Sequence, residues 1–401
     1  MKISNKHLYQ LDKEHYLPTF NRFPIAFIKG SGSRLWDADG KEYIDMLAGI
    51  AVNAVGHCHP EVVKAIQDQA AQLIHVSNFF VSPPQVSLSK LLVDISGLSR
   101  VFLTNSGAEA VEGALKIARK YASTKGRGGT ILSMTHSFHG RTLATIATGQ
   151  KKYQQGFDPI PTGFAQIPFN DLESAKKAIT EDVAAILVEP IQGEGGVNPA
   201  DKAYLEGLRV LCDENDVILI FDEIQTGIGR TGAWFAKDHY GVQPDIITLA
   251  KGLGGGMPIG AFLCNEKVSK AINFGDHGTT FGGNPLAAAA SLATLKVIAD
   301  EKLCESSRNK GNWLKTELEA MAKRQPLIKA IRGLGLMIGI QLDRPAAPVV
   351  QLLLKEGVVA NATADTVLRL VPPLNISQPD LETVLQKIEK TISELEENDK
   401  Q

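Results

Sequence analysis

Cysteine is scarce in this chain: Cys58, Cys212, Cys264 and Cys304 are the only four in 401 residues, widely scattered and with no CxxC pair. That spacing argues against a disulfide framework and against a paired-cysteine zinc site, and it points to free thiols in a reducing compartment. Long apolar runs are also missing. Nowhere do about 18 apolar residues follow one another, so no membrane-spanning helix is expected. The opening stretch MKISNKHLYQLDKEHY is polar and lacks the apolar centre of a signal peptide. An excess of positive charge is absent too: the net charge of −2 offers no footprint for nucleic acid or an anionic membrane. No GxxxxGK[ST] occurs, which excludes a P-loop. The expectation is a cytoplasmic protein that handles small molecules.

What is present is an ordinary globular composition, 44% hydrophobic and 21% charged, in a chain long enough for two or three domains. In RLWDADGKEYIDM the alternation around Asp39-Gly40 predicts a hairpin. Asp37-x-Asp39 faintly resembles a calcium loop, but Gly40 comes too early and a third ligand is missing. From about residue 60 to 300, short apolar runs alternate with helical segments: Val101–Leu103, Thr130–Met134, Ala184–Val188, Val217–Phe221, Ile246–Leu249 and Ala261–Cys264. Their continuous apolar character fits parallel strands covered by helices on both faces. After about residue 300 the texture is α+β, ending in a helix capped by Ser377 with Pro379 in its first turn and a stripe of Leu381, Val384, Leu385, Ile388, Ile392 and Leu395. The expected division is an N-terminal segment (1–59) packing with a small C-terminal domain (301–401), around a large α/β domain (60–300).

Several strand candidates end in reactive or polar residues: Asn105 and Ser106, His136 and His139, Glu189, Asp222, and Lys251. Ligands of open α/β sheets bind beyond the carboxyl ends of the strands, so this clustering predicts a site. In VFLTNSGAEAVEGALKIARK a strand passes through Gly107 into a helix whose Ser106 and Glu109 have capping-box spacing. Free N–H groups at that helix start suit a phosphate, although a capped structural helix has the same pattern. Asp222 ends a strongly apolar strand, where a carboxylate needs a cation or donor. A lysine at the end of the next strand, Lys251, becomes a nucleophile if its ammonium is desolvated; the competing reading is a side chain that reaches solvent, which the flanking glycines weaken. Arg141, after SFHG, and Arg369, within the apolar VLRLVPPL, are suited to carboxylates, with surface or structural ion pairs as the plainer alternative. Glu194 in PIQGEGG is a candidate resting partner for one of them. His57 and His59 flank Cys58, but without a distant fourth ligand turn and helix-start roles fit them better than a metal.

Gly227-x-Gly229-x-x-Gly232 matches dinucleotide spacing, with Asp245 eighteen residues beyond Gly227. DEIQT separates those glycines from the strand, and Gly241 and Pro244 interrupt the stretch beyond them, so no long helix opens there and the match is read as accidental. A dinucleotide-dependent oxidoreductase is therefore the alternative of a different class. A non-catalytic relative is a third, against which Asp222, Lys251, Arg141 and Arg369 together speak.

LIFDEIQTGIGRTG followed by LAKGLGGGMPIGA resembles the signature of the class III, pyridoxal-phosphate-dependent aminotransferases of fold type I, over nearly the whole chain. Within that family GIAVNAVGHCHP, NSGAEAVE, SFHGRT, EPIQGEGG and HGTTFGGNPLA are most similar to the acetylornithine aminotransferases. The resemblance implies an α/β fold, a mostly parallel central sheet flanked by helices, with a smaller α+β domain, and pyridoxal 5′-phosphate as cofactor. It implies that Lys251 binds the cofactor covalently and then moves a proton between substrate and cofactor, while Asp222 pairs with the ring nitrogen. Gln225 would lie near the phenol oxygen and Phe138 against the ring. Ser106, Gly107 and Ala108 would bind the phosphate, with Thr280 reaching in from a second subunit of a homodimer. Arg141 would hold the donor's α-carboxylate with Thr279 close by. Arg369, released by Glu194, would hold that of 2-oxoglutarate. The donor implied is acetylornithine, with ornithine and succinylated diamines as alternatives. Ile50 stands where ornithine enzymes would be expected to carry a tyrosine for a free α-amine.

Overall fold

The computed structural model describes residues 4–398. The first three residues of the polar N-terminal stretch and the last three assigned to the C-terminal domain lie outside the described residues. Seven strands form the central sheet, in the order Arg100–Thr104, Gly260–Cys264, Ile246–Leu249, Ile218–Asp222, Val183–Val188, Thr130–Met134 and Phe164–Ile167. Every residue of Val183–Val188, Ile218–Asp222 and Ile246–Leu249 is buried. Strands covered on both faces have no solvent side, which is why these segments read as unbroken apolar runs.

Two expectations need correction. The apolar run Ala261–Cys264 reads as one of the parallel strands, but Gly260–Cys264 runs antiparallel to both of its neighbours. A continuous apolar run reports burial on two faces and carries no information about direction. The edge strand Phe164–Ile167 is absent from the expected set, because only Ile167 of its four residues is buried.

Helix Gly107–Thr124 lies against the sheet through Ala110, Val111, Ala114, Leu115 and Ala118, as the 3.6-residue periodicity predicts. The approach is close: a Cβ on Gly113 would stand 2.3 Å from the Phe262 ring. The predicted N-terminal hairpin is present, with Arg34–Asp37 antiparallel to Glu42–Asp45 and Gly40 at φ +90° between them. Val358–Val359 then adds in parallel to Glu42–Asp45, joining the two ends of the chain in one small sheet. Ile328–Leu334, Met337–Leu342, Val367–Leu370 and Asn361–Thr363 make an antiparallel sheet. The last helix, Gln378–Asn398, starts under a Ser377 Oγ that accepts from the Asp380 N–H at 3.2 Å. Leu381, Val384, Ile388 and Ile392 are fully buried along it, each worth about 1.5–3 kcal/mol of burial. No described helix is long and apolar enough to cross a membrane.

Candidate active site

Asp222 ends one strand and Lys251 lies just beyond the parallel strand beside it, and this neighbourhood brings them to one place. Ile218–Asp222 pairs with Ile246–Leu249 so that Asp222 stands opposite Thr248, and Lys251 follows in the turn just beyond. Around them is a cavity of about 370 Å³. Ser106, Gly107, Ala108, Phe138, Asp222, Gln225 and Lys251, all expected from the sequence, line it.

The Asp222 carboxylate is held from three directions. Its Oδ1 accepts from the Ile224 N–H and the Thr248 hydroxyl, both at 3.0 Å, and its Oδ2 lies 2.6 Å from His139 Nδ1. Both partners of the histidine–carboxylate pair are buried, and His139 Nε2 has no partner among the described residues. Burial pushes the imidazole pKa down, but the hydrogen bond and charge of Asp222, with Glu189 beyond, outweigh it and leave the pKa above its usual 6.5. Lys251 is half-buried with a strained φ of +39°, the kind of backbone found at functional sites. Desolvation draws its pKa below the ordinary lysine value, against the opposing charges of Glu194, Asp222 and Glu189. A larger neutral fraction makes the amine a better nucleophile.

Helix Gly107–Thr124 opens on the cavity. Ser106 Oγ accepts from the Glu109 N–H at 3.2 Å. The reciprocal half of the expected capping box is displaced by one residue: Glu109 accepts from the backbone and side-chain amides of Asn105 at 2.9 and 2.8 Å. Gly107 and Ala108 line the cavity with first-turn N–H groups that helix geometry leaves without intrahelical acceptors.

Arg369, fully buried in Val367–Leu370, donates to Glu194 Oε1 at 2.5 Å, to Gln225 Oε1 at 3.1 Å and to Asn361 Oδ1 at 3.2 Å. One of its terminal nitrogens is buried without a partner among the described residues. Burial pushes Glu194 up, yet the charge and hydrogen bond of Arg369, helped by Lys251, bring its pKa below the usual carboxylate value. Arg141 does not line the cavity; it is exposed next to Gly140, which does, with its guanidinium 4.0 Å from the Tyr153 ring centroid and 5.6 Å from that of Phe138. Thr279 and Thr280 do not line this cavity. They line a neighbouring one of about 670 Å³ beside Phe79, and Thr279 touches the site only through Asn105, at 3.4 Å.

Sequence reasoning assigns no role to His139 or Glu189. His139 meets Asp222 across 83 positions, a pairing no local pattern reports. Glu189 accepts from the Phe138 and Gly193 N–H groups at 3.2 and 3.3 Å and so ties two site loops together; burial pushes it up to about 7. His57 pairs with Asp45 at 2.7 Å and His59 caps the helix Pro60–Ala70, as turn and helix-start roles require. No long helix opens on Gly227–Gly232; only the short Lys237–Tyr240 comes after it before the next strand.

Glu223, next to Asp222, does not line the cavity. It accepts from the N–H groups of Ala236 and, at 2.9 Å, Lys237, and burial pushes it up to about 7 from 4.5. A carboxyl whose pKa is higher in the folded state stabilises the fold at low pH and loses that contribution as pH rises through about 7. Glu223→Gln is therefore expected to gain on the order of 2–3 kcal/mol relative to the unaltered protein between pH 5 and pH 8.5. Thermal melting of both proteins at the two pH values checks this, and a pH-independent difference would refute it.

The model of the family described as "Aminotransferase class-III" matches residues 17–392. Among curated relatives, acetylornithine aminotransferase of Methanocaldococcus jannaschii is 50% identical over 98% of this chain and 100% of its own length. That of Caldanaerobacter subterraneus is 46% identical over 96% and 98%. Among solved structures, an ornithine aminotransferase from Toxoplasma gondii superposes with a TM-score of 0.95 at 35% identity, covering 99% of this chain and 96% of that one. An acetylornithine aminotransferase from Elizabethkingia anophelis gives 0.86 at 36%, covering 98% and 100%. Cavity, strand-end chemistry and likeness agree: the chain belongs to the class-III aminotransferases.

Proposed function

We propose that the protein transfers the terminal amino group of N2-acetyl-L-ornithine to 2-oxoglutarate, giving N-acetyl-L-glutamate 5-semialdehyde and L-glutamate, in arginine biosynthesis. The observation that carries amino transfer is a desolvated Lys251 amine beside Asp222, in a cavity that a helix N-terminus also enters. The donor rests on the relatives of 46–50% identity and the acyl group their names print. An ornithine donor is the second reading, favoured by the TM-score of 0.95.

The cofactor is pyridoxal 5′-phosphate, and the residues present fit it. Gly107 and Ala108 offer unsatisfied N–H groups for a phosphate, and a Cβ on Gly107 would stand 2.9 Å from Ile224. When bound, the cofactor supplies an electron sink for the carbon next to the amine. Lys251 would hold it through its amine and later carry the proton at the reacting carbon. Asp222, oriented by His139 and Thr248, would keep the ring nitrogen protonated. Phe138 would wall one face and Gln225 would lie near the phenol oxygen, while Ser106, Gly107 and Ala108 hold the phosphate.

Thr280 would complete that phosphate site from a second copy of the chain, in a homodimer with shared active sites. In support, Thr279 and Thr280 lie outside the cavity around Lys251 of their own chain, beside Phe79, which is 93% exposed. Arg141 would bind the donor's α-carboxylate, with Thr279 near it. Arg369 would bind that of 2-oxoglutarate once Glu194 leaves it. The same reading keeps residues 1–59 with 301–401 as a unit beside 60–300, supported by the strand pairing of Glu42–Asp45 with Val358–Val359. The protein would work in the cytoplasm.

A panel of single half-reactions over acetylornithine, ornithine, succinylated diamines and 4-aminobutyrate, followed by visible absorbance, tests the donor. Ornithine outpacing acetylornithine would overturn the assignment. For Arg369→Ala, kcat/KM of the 2-oxoglutarate half-reaction is expected to fall about a hundredfold and the donor half far less. Equal losses would count against the division of labour between Arg141 and Arg369.

A further inference from the structure

A second cavity, of about 390 Å³, lies outside the first and is lined by His136, Gln150, Glu194, Asn198, Arg332 and Gln341 among others. Glu194 lines this second cavity, and its partners Arg369 and Gln225 connect it to the first, which Gln225 lines. Its Oε1 is held from one side by Arg369, one of whose further acceptors, Gln225, lines the inner cavity. Its Oε2 accepts from the Thr363 hydroxyl at a long 3.5 Å, and Gln225 also bonds the carboxylate. On the outer side is Arg332, from the strand Ile328–Leu334. That guanidinium donates to Gly196 O and Gln341 Oε1, both at 2.9 Å, and Gln341 is itself anchored to the Thr366 hydroxyl at 2.6 Å. The Nε of Arg332 is buried with no partner, and no carboxylate pairs with Arg332 among the described residues. Burial draws its pKa down with no opposing charge. Here, then, is a half-buried cation without a counter-ion, pressed on the loop that carries Glu194: a Cβ on Gly196 would sit 3.5 Å from it.

We infer that Arg332 receives the Glu194 carboxylate when Arg369 is given to the incoming dicarboxylate, so that Glu194 passes between two guanidinium partners. The inference rests on the exchange reading proposed above. A carboxylate leaving a buried arginine gives up a charge-assisted hydrogen bond. A second cation at the end of its travel offsets that loss and raises the population of the state able to bind substrate. Arg332 thus acts as a positioning residue for the second half-reaction, and it need not touch substrate or cofactor.

The test uses the cofactor-loaded enzyme and glutarate, a dicarboxylate with no keto group to react. In a crystal structure of that complex the Glu194 carboxylate should stand within about 4 Å of the Arg332 guanidinium. Arg332→Gln should weaken glutarate binding and raise the KM for 2-oxoglutarate about tenfold, with the donor half-reaction unchanged, and Arg332→Lys should recover most of the loss. In a Glu194→Ala background, where nothing needs a second partner, Arg332→Gln should have no further effect. The same penalty in both backgrounds, or a glutarate complex with Glu194 turned to solvent, would overturn the inference while leaving the exchange reading intact. If Glu194→Ala alone fails to tighten glutarate, the exchange reading fails and this inference with it. Should Arg332→Gln not fold, the glutarate complex of the unaltered protein decides.

Discussion

Lys251→Ala is expected to lower turnover by about four orders of magnitude, the upper range for one positioned acid–base group, and to leave the protein at least as stable as before. The first part follows from its place: Lys251 is the lysine lining the cavity, with a pKa drawn down by desolvation. Among the described residues no other lysine lines that cavity to replace it. The second part follows from burial, since removing a desolvated amine with no hydrogen-bond partner among the described residues removes an unfavourable group. Single-turnover kinetics and thermal melting of the cofactor-free variant check the two halves. Borohydride reduction of the unaltered enzyme with peptide mapping should place the label on Lys251, and a label elsewhere refutes the assignment. A variant that also melts far below the unaltered protein would mean that Lys251 holds the fold together, against the burial argument.

Asp222→Asn is expected to reduce kcat/KM by about two to three orders of magnitude, the size of one preorganised electrostatic contact at a reacting centre. An amide keeps the shape and loses the charge that would hold a proton on the cofactor ring. Asp222→Ala goes further, because it strips a buried partner from His139, whose Nε2 already has none. Breaking a buried pair from one side costs about 3–5 kcal/mol. The pH dependence has a definite sign. His139 has its pKa raised in the fold, so the stability it draws from Asp222 is complete below the ordinary 6.5 and fades as pH rises through the raised value. The destabilisation caused by Asp222→Asn should therefore be larger at pH 6 than at pH 9. Denaturant unfolding at both values, beside steady-state kinetics, measures it. A penalty that is the same at both values, or grows with pH, would refute a charged His139 paired with Asp222 in the native protein.

Most of the sheet is legible in the sequence because burial on two faces writes itself into consecutive apolar residues, as in Val183–Val188 and Ile246–Leu249. Direction and edges are not. Gly260–Cys264 is as buried as the parallel strands of the sheet, and Phe164–Ile167 is too exposed to show a pattern. The strand-end rule locates Asp222 and Lys251, since a polar residue closing a buried run is conspicuous in one dimension. The pairing of Glu194 with Arg369 spans 175 positions and is open to either arginine until the fold chooses one. His139 is visible as a strand-end residue, but its partner belongs to another strand. Arg332 gives no signal at all: it sits among ordinary strand residues, and only the cavity beside it marks it out.

The antiparallel strand at Gly260–Cys264 has a mechanical consequence. A parallel successor to Ile246–Leu249 would need a crossover of about a dozen residues or more. The antiparallel arrangement lets residues 250–259 turn straight back, with Leu249 registered against Ala261. Lys251 therefore rides on a short leash clamped at both ends by neighbouring ladders, and Met257, Pro258 and Ile259 on its return limb wall the same cavity. With the backbone tethered at both ends, the reach of the proposed attachment point would be set by the rotation of its own side chain.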